Sequence, residues 1–361
     1  MNKHFFAVIL AGGKGERFWP LSTSRMPKQL LSLVGGKPLL AQAVDRLHGL
    51  IPPSHVFVIT NKDLVAATRK ATPTLPVKNI IGEPFGRDTA AAIAAGAALV
   101  KHRDPKGVFC VLTADHIMGN IPLFQRTLKA CLARALHEHV LITIGIKPRD
   151  PNTGYGYIEA ETRYRTVSGI RFCRARRFVE KPNLRKAKKY FDAGNYYWNS
   201  GMFAWSVATI EKAFRKHRPA LFDLVNKLVK VAGKPQFDQE LRRGYQPLEK
   251  ISIDFALMEK ADNIVMARGV FPWDDVGSWT ALEDHIPRNH EGNVLVGTCE
   301  SVHAHNNIVL SNDRLTALVG VRDLIVVQAM GVTMICPKDR AQDVKKLVEK
   351  LKSSGRYAEV L

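Results

Sequence analysis

The stretch FAVILAGGKGERFWPLSTSRMPKQLLSL near the N-terminus constrains this chain more than any other. A short apolar run from Phe5 to Leu10, β-branched at Val8 and Ile9, enters Gly12, Gly13 and Gly15, and Lys14, Arg17 and Lys28 follow. Brevity, branching and a glycine stop predict a buried parallel strand that feeds a loop. Glycines let backbone N–H groups come close to an anion, and added cations make that anion polyphosphate-like. Two familiar alternatives drop out. Gly-Lys-Ser/Thr after four spacer residues is missing, so this is no P-loop, and Phe18 stands where the third glycine of GxGxxG belongs.

At 361 residues and 46% hydrophobic, the chain can build one large α/β domain and a smaller one. No apolar stretch approaches the roughly 18 residues that span a bilayer, so no membrane partner is expected. Lys3 and the run to Ala11 imitate a targeting segment, but Lys14, Glu16 and Arg17 follow at once, which favours a strand. The five cysteines are scattered and form no CxxC, so neither a disulfide framework nor a thiolate zinc site is indicated. A reducing, cytoplasmic setting fits. The net charge of +20 attracts anions. Basic residues are densest from Arg163 to Lys189, without a regular ladder of stacking aromatics, so nucleic acid is not the favoured partner.

Along the chain, helical patterns (Pro38–Leu47, Asp63–Ala71, Thr89–Lys101 with Asp88 as N-cap, Leu123–His137) alternate with strands (Val56–Thr60, Asn79–Ile81, Val108–Leu112, Val140–Ile146). This alternation predicts a Rossmann-like, mixed but mostly parallel sheet with helices on both faces and ligands at the carboxyl ends of its strands. Asp115 falls at such an end. Gly154–Glu159 and Ile170–Val179 read as antiparallel strands inserted over the sheet's open mouth. Helices Leu184–Asp192, Val207–His217 and Ala220–Val231 surround a strand-like piece, Trp198–Phe203, with an exposed polar turn. Ile251–Lys260 reads as another helix, and Phe271–Trp279 as a compact loop. Short β segments then recur (Asn293–Thr298, Asn307–Leu310, Thr316–Val319, Leu324–Gln328, Val332–Cys336). The chain ends in a helix whose Val344, Leu347, Val348 and Leu351 form one stripe. The expected division is a catalytic domain over 1–290 and a small β-helical domain over 291–361. His303 and His305 alternate, but no third ligand type lies near them, so a solvated face is favoured over a metal site.

Gly-Gly-x-Gly-x-Arg with Lys28 eleven residues beyond Arg17 resembles the signature of the sugar-phosphate nucleotidylyltransferases. Ordered segments make the resemblance specific: LAGG with PKQ, GEPFGRDT (82–89), Ala114-Asp115-His116, Gly154-Tyr155-Gly156, VEKP (179–182), WNSGMF (198–203) and WDDVGSW (273–279). Together, over about residues 5–285, they resemble the mannose-1-phosphate guanylyltransferases. The remainder is similar to the β-helical domain of the stand-alone members.

The resemblance implies substrates GTP and mannose 1-phosphate, with Mg²⁺ as the cation. It places Arg17 and Lys28 on the phosphates, beside the Leu10-Ala11-Gly12-Gly13 and Gly15 backbone, and Asp115 and Asp275 on the metal. Neighbouring residues of an extended segment point opposite ways, so only one of Asp274 and Asp275 should bind it. Glu83 would read the base, because guanine presents two adjacent donors that one carboxylate can accept. Arg87 and Thr89 complete that motif, although the family more often has Asn where this chain has Asp88. Gly154, Glu180, Lys181 and Asn199 would take the sugar phosphate. A homodimer through the C-terminal domain stays open. So do a guanylyltransferase acting on another sugar 1-phosphate, such as a heptose, and a silent regulatory paralogue that only binds nucleotide sugar.

Overall fold

The first strand forms where the glycine-stopped apolar run predicts it. In the computed structural model, which describes residues 2–361 with the side chain of residue 313 excepted, the strands are β1 (Phe5–Ala11), β2 (Val56–Asn61), β3 (Ile80–Glu83), β4 (Val108–Thr113), β5 (Ile117–Met118), β6 (Leu141–Ile146), β7 (Tyr157–Ala160), β8 (Arg165–Val167), β9 (Ile170–Val179), β10 (Tyr196–Ser206), β11 (Ile264–Gly269), β12 (Trp273–Asp274), β13 (Val294–Val302), β14 (Ile308–Val319), β15 (Leu324–Ala329) and β16 (Val332–Pro337). Contacts divide the chain into two units. The first holds residues up to Gly12, Ala43–Ala114 and Met118–Trp273; the second holds Gly13–Gln42, Asp115–Ile117 and Asp274–Leu361.

The first unit is built on one sheet ordered β3-β2-β1-β4-β10-β6-β11-β9-β7, with β8 on β9. Pairs β3/β2, β2/β1, β1/β4 and β6/β11 are parallel, and β10 runs antiparallel between β4 and β6. Phe6 and Val8 enter one large apolar cluster, while Phe5, Ala7 and Ile9 are buried as well, so both faces of β1 are covered, as in parallel sheets generally. The alanine-rich helix Asp88–Arg103 packs closely on that strand: a Cβ at Gly96 would lie 2.7 Å from Val8 Cγ1.

Several expectations are corrected. The antiparallel insertion does not cover the sheet's mouth. Strands β7 and β9 instead extend the same sheet, β9 on β11 and β7 on both β9 and β10, which satisfies edge N–H and C=O groups. The turn within 198–203 is not exposed: it is an irregularity of β10, with Gly201 at φ 69°, Ser200 buried, and Ser200 Oγ donating to Ile144 O at 2.6 Å. The helix expected over 251–260 is a single π turn, Asp254–Met258. Asp88 is not an N-cap but the first helical residue, at φ 64°, with its carboxylate accepting Thr89 N–H. Asp and Asn tolerate that left-handed geometry better than most residues, which accounts for either at this position.

The second unit has its own core, formed among others by Phe18, Trp19, Leu31, Trp279, Ile308 and Val344. Strands β13, β14 and β15 are parallel and β16 closes them antiparallel. The two β segments expected near 307–319 are one strand, β14. Buried Asn293 and Asn307 stack inside the turns, Asn307 Nδ2 donating to Asn293 Oδ1 at 3.0 Å. The final helix, Val344–Ser354, buries Val344 and Val348 but leaves Leu347 exposed, so the expected stripe is narrower. Trp19 Nε1 donates to Val360 O at 2.8 Å, which ties the chain end to the glycine loop. All five cysteines are free thiols. No helix among the described residues is long and apolar enough to cross a membrane.

Candidate active site

In the second unit the glycine loop builds a cavity of about 300 Å³, lined by Lys14, Arg17, Lys28, Asp115, Asp275 and Lys345 among others. Gly15 is required there by packing as well as by conformation. It sits at φ 63°, and a Cβ on it would fall 2.3 Å from Lys28 Cβ. Lys28 itself is buried, with its ammonium donating to Asp115 Oδ2 at 2.9 Å and to the Asp275 carbonyl. Burial pushes the Asp115 carboxyl up, but Lys28 and His116 outweigh it and leave the group below its usual range. Arg17 is exposed and makes no ion pair among the described residues.

The WDDVGSW segment divides its two acids. Asp274 is buried, its Oδ1 accepting the Val276 N–H at 2.7 Å and its Oδ2 lying 2.9 Å from His285 Nε2. It thereby holds a turn in which Val276, a β-branched residue, takes φ 48°, a costly conformation that persists where surrounding structure imposes it. Asp275 lines the cavity instead. Asp115 and Asp275 are thus two hard oxygen donors beside a cation-rich cavity, a set that fits Mg²⁺, which usually takes one or two carboxylates and completes its shell from phosphate and water. No group of three metal-ligating side chains occurs among the described residues.

In the first unit, Glu83 ends β3 as a buried carboxylate. Burial raises it to about 7, against a smaller lowering from the adjacent Tyr245 hydroxyl. Its Oε1 has no well-formed hydrogen-bond partner among the described residues, and neither does the Tyr245 hydroxyl. A Cβ at Gly12 would lie 3.7 Å from Glu83 Oε2, so the glycine leaves that carboxylate approachable. The rest of the motif is engaged with main chain. Arg87 donates to the carbonyls of Tyr245 (3.1 Å) and Gln246 (2.8 Å), and Thr89 Oγ1 accepts Ile253 N–H at 2.8 Å. Leu10 and Ala11 are the last residues of β1.

A second cluster in the same unit gathers Glu180, Lys181, Asn199 and Asp254. Lys181 Nζ lies 2.8 Å from Glu180 Oε1, and Lys181 sits at φ 40°. Asn199 Nδ2 donates to Asp254 Oδ1 at 2.7 Å, while its Oδ1 accepts Gly201 N–H at 3.2 Å. Burial, then the Glu180 charge, raise Asp254 to about 6. The glycine beside the cluster is Gly156, whose Cβ would fall 2.4 Å from Glu180 Oε2; Gly154 instead donates to Asn152 Oδ1 at 2.8 Å. Asp254 does not stand out in the sequence, because Ile251–Lys260 reads as an ordinary helix where the fold makes one π turn. The signal available was a lone acid in Ile253-Asp254-Phe255-Ala256-Leu257-Met258, which has no reason to be buried unless something pairs with it.

This sheet, with a glycine loop after its first strand, a cation-rich cavity and a separate cluster of buried acids, defines a nucleotidyl-transfer enzyme. The sequence matches the nucleotidyl transferase family over residues 6–291 and the mannose-phosphate isomerase/GMP-like β-helix domain over 298–351. A mannose-1-phosphate guanylyltransferase of Klebsiella pneumoniae is 36% identical over 353 residues, 97% of this chain and 74% of that protein. Its counterpart from Escherichia coli strain K12 is 34% identical over 356 residues, 98% of this chain and 74% of that one. A solved structure from Thermus thermophilus, described as a mannose-1-phosphate geranyltransferase, superposes with a TM-score of 0.87 at 33% identity and covers 97% of this chain and 99% of its own. The chain belongs to the mannose-1-phosphate guanylyltransferases.

Proposed function

We propose that this chain transfers GMP from GTP to α-D-mannose 1-phosphate, releasing diphosphate and forming GDP-mannose. A phosphate oxygen of the sugar phosphate forms a bond to the α-phosphorus as the bond from that phosphorus to the bridging oxygen of the β-phosphate breaks, and the electron pair leaves with diphosphate. No protein nucleophile is needed. Catalysis is positioning and charge neutralisation. Lys28 and Arg17 neutralise the phosphates, Lys28 from a fixed position and Arg17 from an exposed one, with the Gly12, Gly13 and Gly15 backbone beside them. Asp115 and Asp275 would hold the divalent cation, which when bound supplies further neutralisation of phosphate charge.

Glu83 accepts the guanine N1–H and N2–H donors, and a buried carboxylate left approachable at Oε2 by Gly12 is the observation that favours guanine. Adenine lacks that donor pair, so it would leave the carboxylate unpaired and be rejected. Arg87 and Thr89 act through the main chain that frames Glu83. Glu180, Asn199, Lys181 and Asp254 receive the sugar phosphate, their carboxylates and amide suiting a polyhydroxyl partner, with Gly154 two residues before Gly156, the glycine that meets Glu180. A cytoplasmic setting, the division at residue 290 and a homodimer through the C-terminal domain belong to the same proposal.

The single observation that carries the reading is the cavity in which Lys28, Asp115, Asp275 and an unpaired Arg17 converge. Its test is diphosphate release from four nucleoside triphosphates and a panel of sugar 1-phosphates, with and without EDTA. Release with GTP and mannose 1-phosphate that stops on chelation supports it. Release indifferent to EDTA, or preference for another sugar such as a heptose phosphate, would replace it. Binding of nucleotide sugar without turnover would favour the silent regulator.

A further inference from the structure

The cavity that holds Lys28 is also bordered by the chain's last α-helix, Val344–Ser354. Val344 and Val348 bury that helix's inner stripe, and Lys345 and Lys352, seven residues apart and so on one face, turn toward the glycine loop. Lys352 Nζ donates to Glu16 Oε1 at 2.6 Å. Burial pushes the Glu16 carboxyl up, but Lys352, with Lys14 and Lys345 behind it, brings it below the usual range. Lys345 lines the cavity itself.

Two features set Lys345 apart from a surface lysine. Its neighbour Lys346 is satisfied by Asp343 at 2.6 Å, whereas the acid paired with Lys345 among the described residues is Glu349 at 3.7 Å, an exposed pair of little strength. It also occupies the first turn of its helix, where a cation opposes the helix dipole. Helix stability gains little from a lysine there, whereas anions at the cavity do account for it: the Glu16 carboxylate, which Lys345 helps to lower, and any anion that enters beside it.

We infer that Lys345 is a phosphate-binding residue supplied by the C-terminal helix, directed at the terminal phosphates of the nucleotide and the departing diphosphate, and that Lys352 is a positioning residue that neutralises Glu16. The inference deepens the proposed phosphate-transfer reading and rests on it for the identity of the anion. The reaction's sugar and base play no part in it.

The test is calorimetric titration of the full chain with inorganic tripolyphosphate, paired with steady-state kinetics. Lys345→Ala should weaken tripolyphosphate binding about tenfold, the worth of one well-placed charge-assisted contact, and raise the KM for GTP while that for mannose 1-phosphate stays put. Lys345→Arg should restore most of the affinity. Lys346→Ala, on the same helix but paired with Asp343, should bind as the parent does. Lys352→Ala should weaken binding less, and Glu16→Gln in that background should recover it. Thermal melts check that each variant is folded. Parent-like binding by Lys345→Ala, or equal weakening by Lys346→Ala as a general charge effect would give, overturns the inference. If the Lys345 effect is present but GTP and mannose 1-phosphate give no diphosphate, the reaction assignment fails and the anion site stands.

Discussion

In the cavity of the second unit, acids have cations beside them: Asp115 has Lys28 at 2.9 Å and Glu16 has Lys352 at 2.6 Å, and both carboxyls lie below their usual range. Two acids of the first unit are placed the other way. Glu83 is buried beside a tyrosine hydroxyl and Asp254 beside Glu180, and burial raises them to about 7 and about 6. The first arrangement keeps positive charge available at a fixed place, which suits an incoming polyphosphate. The second stores acceptors that water cannot easily reach, which suits neutral donors such as a base edge or sugar hydroxyls. On the proposed function, one region supplies reaction type and the other supplies choice.

Breaking the cation-rich side should cost most. Lys28→Ala and Asp115→Asn are each expected to lower turnover about a hundredfold, the scale of losing one pre-organised charge, with the protein still folded by circular dichroism. Full activity in Asp115→Asn would remove it from the metal assignment.

Substitutions at the buried acids should alter selection before rate. Glu83→Gln should narrow discrimination of GTP over ATP about tenfold, because the amide offers a donor where guanine needs an acceptor. Competition kinetics with both nucleotides measures this. Asp254→Asn should raise the KM for mannose 1-phosphate about fivefold, the cost of one imperfect buried hydrogen bond, and leave the KM for GTP unmoved. An equal rise for both substrates would deny it a role in sugar binding.

The smallest effect separates the regions by stability. In the folded chain Glu83 titrates at about 7 instead of 4.5, so the folded state holds the extra proton between those values and loses stability as pH rises through that window. Glu83→Gln should therefore melt higher than the parent at pH 8, with the gain fading toward pH 4.5. Asp115→Asn should show the opposite sign, since a lowered carboxyl stabilises at neutral pH and loses that contribution as pH falls. Melting curves across pH, compared between each variant and the parent, read both signs.

The sheet was legible in the sequence because its strands are short apolar runs stopped by glycine or polar residues, and the cation-rich site because Gly15, Arg17 and Lys28 are close in the chain. Choosing between Asp274 and Asp275 needed the fold: only the structure shows His285 and the Val276 N–H consuming Asp274. Asp254 was hidden inside a helical pattern that becomes one π turn. Arg87 and Thr89 sit in the recognised motif, yet their bonds to main chain come from elements far along the sequence, where no local pattern reports them. Lys345 is more distant still, more than three hundred residues from the loop it faces.

The most direct test of this division of labour is the ratio of kcat/KM for GTP to that for ATP, with mannose 1-phosphate as acceptor, in the parent, Lys28→Ala and Glu83→Gln. The account predicts that Lys28→Ala lowers both rates and keeps the ratio, and that Glu83→Gln reduces the ratio. An unchanged ratio in Glu83→Gln, or a ratio that collapses in Lys28→Ala, would contradict it.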